Sequence, residues 1–144
     1  MDTHILLIDD DSDDAELFRE ALHRVDPSVS FVHFNDPRDF LDALQATLPK
    51  TPDVVFIDIN MPVISGWELL EVMKKEQLLA GVPIIIYSTS SLRGEATRAQ
   101  QEGADGFIMK PDDFSGLVEL FQLTVPTLKD KSGAKLRRLI QTID

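Results

Sequence analysis

Ile5-Leu6-Leu7-Ile8-Asp9-Asp10-Asp11 is an apolar run without polar alternation that breaks abruptly into three carboxylates. A short unbroken run of this kind suits a strand covered on both faces. The form recurs along the chain. Val54-Val55-Phe56-Ile57 ends on Asp58, Ile84-Ile85-Ile86-Tyr87 ends on Ser88, and Gly106-Phe107-Ile108-Met109 ends on Lys110-Pro111. If these runs are parallel strands of one sheet, their carboxyl ends lie side by side. Several carboxylates, a hydroxyl and an ammonium then share one crevice.

The segments between the runs support that arrangement. A helix is predicted over Ser12–Val25, where Ala15, Phe18, Leu22 and Val25 recur at helical spacing. Asp11 or Ser12 can cap it, and Asp13, Asp14 and Glu16 suit the positive end of its dipole. Val29–Phe34 reads as another strand, after which Asn35-Asp36-Pro37 opens a helix with Phe40, Leu41, Leu44 and Leu48 on its apolar side. Further helices are predicted over Trp67–Glu76, over the polar stretch Leu92–Glu102, and from Asp112 or Asp113 onward. Five strands and five helices thus alternate strictly, which implies βαβ units and a doubly wound α/β fold with a parallel sheet. Residues 125–144 form a short C-terminal extension. From Pro126 to Asp144, five basic residues (Lys129, Lys131, Lys135, Arg137 and Arg138) outnumber Asp130 and Asp144. Leu136, Leu139, Ile140 and Ile143 fall on one helical face, which favours a helix packed back on its own domain over a dimer contact.

A chain of 144 residues is the usual size of one domain. Its net charge of −11 opposes binding to nucleic acid or to an anionic membrane surface. With no cysteine, disulfides and thiolate chemistry are ruled out. Neither a signal peptide nor an apolar stretch of membrane-spanning length is evident, so a cytoplasmic location is expected.

In open parallel sheets ligands sit beyond the carboxyl ends of the strands. Clustered carboxylates there raise one another's pKa unless a cation neutralises them, and Mg²⁺ takes carboxylate oxygens while sharing its remaining positions with water and phosphate. A carboxylate beside such an ion can attack a phosphoryl group and form an acyl phosphate. A lysine and a hydroxyl then stabilise charge on the transferring oxygens.

The pattern Asp9-Asp10, Asp58 with Met61-Pro62 and Gly66, Ser88, and Lys110-Pro111 resembles the receiver domain of two-component response regulators, over residues 3–124. The resemblance implies a flavodoxin-like strand order 2-1-3-4-5 and a signalling domain that assists its own phosphorylation and dephosphorylation. Asp58 is then the phosphoacceptor, and Asp10 and Asp58 ligate Mg²⁺ directly, with Asp9 acting through water. Asn60 contributes its backbone carbonyl, and Lys110 pairs with the phosphate. Ser88 and Phe107 are the switch hydroxyl and switch aromatic, and Asn60 and Ser90 flank the phosphate. The three consecutive aspartates also allow Asp10-Asp11 as the acidic pair.

A stand-alone receiver is expected, phosphorylated by a histidine kinase or a histidine phosphotransfer protein. It would act on a downstream protein through the face made by the fourth helix, fifth strand and fifth helix. Homodimerisation through that face or the extension is a further option. Two other readings compete. A haloacid-dehalogenase-like phosphatase would use Asp9 as nucleophile, with Ser88, Lys110 and Asp112-Asp113 imitating its order, but leaves Asp58 without a role. A receiver-fold module that binds without phosphorylation would not need every reactive position filled. His4, His23 and His33 share no spacing and read as surface or edge residues, and Trp67 as packing at a helix start.

Overall fold

The apolar runs are adjacent strands of one parallel sheet. The computed structural model describes residues 2–46, 50–89, 94–130 and 133–143, with 134 and 141–143 by backbone alone. In chain order the elements are β1 (His4–Ile8), α1 (Ser12–Val25), β2 (Ser30–Phe34), α2 (Pro37–Ala46), β3 (Val54–Ile57) and α3 (Gly66–Lys75). They continue with β4 (Ile84–Ser88), α4 (Glu95–Gln101), β5 (Gly106–Met109), α5 (Phe114–Lys129) and α6 (Gly133–Ile143). The strand order is β2-β1-β3-β4-β5, and every pairing is parallel. Leu48 and Leu92, expected in the second and fourth helices, and Ser90 lie outside the described residues.

Side chains of successive strand residues leave opposite faces of the sheet, so an unbroken apolar strand supplies two cores. Ile5, Leu7, Val54, Phe56, Ile85, Tyr87 and Ile108 pack on one side with Phe18 and Leu22 of α1 and Leu117, Leu120 and Phe121 of α5. Leu6, Ile8, Val55, Ile57, Ile84, Ile86 and Phe107 pack on the other with Phe40 of α2, Leu69, Leu70 and Met73 of α3 and Ala99 of α4. On the first side the Phe18 ring makes edge contacts with Phe56, Tyr87 and Phe121 at centroid distances of 5.3, 5.5 and 4.7 Å. These contacts seat α1 so that its first turn meets the ends of β1 and β5.

The C-terminal region adds to the five alternating helices the helix expected in the extension. The helix that begins at Phe114 runs through Pro126 to Lys129, and a sixth helix follows. A proline inside a helix removes one hydrogen bond and costs about 3 kcal/mol. Val125, Leu128 and the neighbouring Thr124 are buried on either side of it, and that packing holds the last turn. In α6, Leu136 and Ile140 are buried in the core shared with α1 and α5, so its apolar stripe is used within the chain. Ile140 sits directly over Gly106, where an added Cβ would lie 2.5 Å from the Ile140 Cγ2. Arg137 donates from Nε to Asp105 Oδ1 at 2.7 Å, fixing α6 to the residue just before β5.

Candidate functional site

Three strand ends meet at one rim because their registers coincide. Ile8 pairs with Ile57, and Ile57 pairs with Ile86. The Asp58 amide donates to the Ile8 carbonyl (2.9 Å), and the Lys110 amide donates to the Ser88 carbonyl (2.8 Å). Asp9 and Asp58 therefore leave their strands at the same level, with Ser88 one residue and Lys110 two residues further along the same rim. Asp9, Asp58 and Ser88 are buried, while Asp10 is exposed.

Carboxylate oxygens of Asp9, Asp10 and Asp58 all lie within 4.8 Å of one another. Asp11 does not join them. It is the N-cap of α1, where its side chain accepts from the Asp13 and Asp14 amides. Among the described residues the acidic pair that faces Asp58 is thus Asp9-Asp10. Three carboxylates so close, with oxygen donors only, suit a hard divalent cation.

Lys110 supplies the opposing charge. Its Nζ donates to Asp9 Oδ2 at 2.8 Å and to Asp14 Oδ2 at 3.0 Å, and stands 3.7 Å from Asp58 Oδ1. Burial pushes the Asp58 carboxyl up, the nearby Asp9 charge pushes it further, and Lys110 offsets only part of this, leaving it at about 7. Burial also raises Asp9, against the hydrogen bond from Lys110. Burial works the other way on Lys110, but its bond to Asp9 outweighs it and holds the ammonium charged. The cluster carries more negative charge than one lysine neutralises. It fits a divalent cation on that ground as well as by its donors.

The loop after β3 is shaped around Asp58. Met61 is buried, Asn60 is exposed, and the Ser65 hydroxyl caps α3 in a reciprocal pair with Glu68. Gly66 begins α3 where only a bare Cα fits. An added Cβ would lie 2.2 Å from the Asp58 carbonyl oxygen and 2.8 Å from the Ile59 Cα. Since both are backbone atoms, Gly66→Ala is expected to shift Asp58. We expect a loss of about 1–3 kcal/mol in urea unfolding.

Two residues were not singled out in the sequence. Asp14 was read only as favourable to the helix dipole, yet it is a partner of Lys110. His33, read as an edge residue, does lie on the edge strand β2, but its Nε2 donates to the Asp9 carbonyl at 2.7 Å. Its place one residue before the end of a strand adjoining β1 was the available signal. Trp67 packs at the start of α3 as expected, with the Arg98 guanidinium 4.4 Å above its ring. Phe107 is buried and lines a cleft between α4 and α6.

A sequence model for the response regulator receiver domain matches residues 5–122. The chain belongs to the response regulator receiver family. This receiver is similar to the polar-differentiation response regulator DivK of Brucella ovis, 25% identical over 119 residues that cover 83% of this chain and 93% of DivK. In fold it resembles the phosphorylated cyanobacterial phytochrome response regulator RcpA, with a TM-score of 0.80, 21% identity, and coverage of 92% of this receiver and 97% of RcpA. The Mn²⁺-bound response regulator Rcp1 matches with a TM-score of 0.71 at 21% identity, covering 83% of this chain and 89% of Rcp1. The expected strand order is the observed one. Among the described residues no helix is long and apolar enough to cross a membrane.

Proposed function

We propose that this receiver accepts a phosphoryl group from a histidine kinase or a histidine phosphotransfer protein onto Asp58, in a Mg²⁺-dependent reaction within the cytoplasm. The observation that carries the reading is the position of Asp58: buried at the strand ends, in a three-carboxylate cluster, with the Lys110 ammonium 3.7 Å away. Asp9, Asp10 and Asp58, with the Asn60 carbonyl, would hold Mg²⁺. When bound, the ion would neutralise the carboxylates and the charge on the phosphoryl oxygens. The Mn²⁺-bound Rcp1 supports a divalent ion in such a fold.

In the transfer, an Asp58 carboxylate oxygen attacks phosphorus and forms a P–O bond. The P–N bond to the donor imidazole breaks, and its electron pair stays on the ring nitrogen, which takes up a proton. Lys110 faces the phosphoryl oxygens with a charge that never has to be created, which is the economy of preorganised stabilisation. Ser88 would then hydrogen-bond a phosphate oxygen while Phe107 repacks, changing the face of α4, β5 and α5 presented to a downstream protein.

The geometry weighs against Asp9 as a phosphatase nucleophile. Its Oδ1 accepts from the Asp11 amide (2.9 Å) and its Oδ2 from Lys110 (2.8 Å), and the residue is fully buried. The test is intact-mass analysis after incubation with acetyl phosphate, with and without Mg²⁺. A labile, Mg²⁺-dependent phosphate adduct is expected on the wild type and none on Asp58→Asn, with Asp9→Asn merely weaker. Donor turnover through Asp9 without an adduct would favour the phosphatase. Neither adduct nor turnover would leave a module that binds without phosphorylation.

A further inference from the structure

Lys110 has a partner that the transfer chemistry does not require. Asp9 already fixes the ammonium from within the core, at 2.8 Å and with no exposure of its own side chain. Asp14 holds the same nitrogen at 3.0 Å from the first turn of α1, with its side chain 39% exposed. Both are hydrogen bonds, whereas Asp58 Oδ1 at 3.7 Å is beyond that range. The resting lysine is thus drawn toward α1 and away from the acceptor. Asp14 also lines an open cleft of about 330 Å³ together with Tyr87, Thr89, Met109 and Lys110. An anionic donor entering by that cleft meets the Asp14 charge beside the ammonium it must reach.

We propose that Asp14 is a positioning residue that restrains Lys110 in the unphosphorylated receiver and competes with the incoming phosphoryl group for its ammonium. The inference rests on the phosphoacceptor reading above. Its holding role duplicates that of Asp9, so what it adds is chiefly a negative charge that opposes the phosphoryl group. Removing that charge frees one Lys110 donor and raises the local potential felt by an anion. Because the Asp14 side chain is 39% exposed, the effect is modest and is screened by salt.

The test uses the full chain with Mg²⁺ and beryllium fluoride, a phosphoryl mimic, by titration calorimetry, alongside the rate of adduct formation from acetyl phosphate by intact mass. Asp14→Asn is expected to bind beryllium fluoride about two- to fivefold more tightly than wild type, and to take up phosphate faster by a similar factor. Asp14→Glu, which keeps the charge, should stay close to wild type. The Asp14→Asn gain should shrink at high salt and in a Lys110→Met background, responses that a merely structural role for Asp14 would not produce. Asp14→Ser serves as a second neutral variant should the asparagine disturb α1.

Binding by wild type with no gain in either neutral variant would overturn this inference alone, as would a gain undiminished by Lys110→Met. Wild type that neither binds beryllium fluoride nor forms an adduct would overturn the phosphoacceptor reading, and this one with it.

Discussion

Asp58→Asn is expected to make the metal-free protein more stable while ending its capacity to accept a phosphoryl group. The second effect follows from the loss of the nucleophilic oxygen. The first follows from proton linkage. The Asp58 carboxyl sits at about 7 in the folded chain, against an ordinary value of 3.8. A folded-state pKa above the unfolded one contributes stability that is fully present below 3.8 and is lost as pH rises through about 7. At about 1.4 kcal/mol per unit, the shift corresponds to on the order of 4 kcal/mol, and local relaxation brings the measured value below that ceiling. The asparagine variant carries no such penalty. Urea unfolding in EDTA should show wild type losing stability between about pH 4 and pH 7, with a flatter profile for Asp58→Asn. Parallel profiles would mean that Asp58 is ionised at no unusual cost, and the crowding of charge described above would be wrong.

Lys110→Met should do the reverse. The methionine preserves much of the side-chain volume but leaves Asp9, Asp14 and Asp58 without the ammonium that they face. Removing one partner of a buried ion pair costs about 3–5 kcal/mol, because the charge left behind is uncompensated. The loss should be largest near pH 8 and smaller near pH 6, where Asp58 takes up a proton instead. Asp58→Asn in the same chain should recover part of it, as expected for groups that interact directly. Phosphoryl uptake from acetyl phosphate should fall at least about tenfold, since a preorganised positive charge at the transferring group is gone. A variant as stable as wild type at pH 8 would show that solvent, and not Lys110, screens the carboxylates.

The strands and their ends were legible in the sequence because each is a change from apolar to charged residues, a signal that needs no partner to be read. Val54–Ile57, Ile84–Ser88 and Gly106–Met109 agree residue for residue with the structure. So does the convergence of Asp9, Asp58 and Lys110, which follows from parallel pairing alone. The three aspartates read as an Asp9-Asp10 pair, with Asp10-Asp11 as the alternative, and Asp11 or Ser12 as the cap of α1. The structure caps α1 with Asp11 and leaves Asp9 and Asp10 to face Asp58. Spacing could not reveal Asp14 as a partner of Lys110, since 96 residues separate them and the packing of α1 on the sheet brings them together. Pro126 lies inside the fifth helix against its local propensity, held there by the burial of Val125 and Leu128.

The docking of α6 onto β5 has a consequence for how the molecule behaves in a crowd of its own copies. β5 is a terminal strand of the sheet, and a terminal strand offers unpaired amides and carbonyls that can recruit a strand from another chain. Ile140 over Gly106 and Arg137 on Asp105 place a helix against that margin, with α4 on its other flank. The opposite margin, β2, has Val32 half exposed and no helix docked along it in the manner of α6 among the described residues. The sheet is therefore guarded unequally: sheet-to-sheet association, if it begins anywhere, begins at β2, and loosening α6 would open a second front at β5.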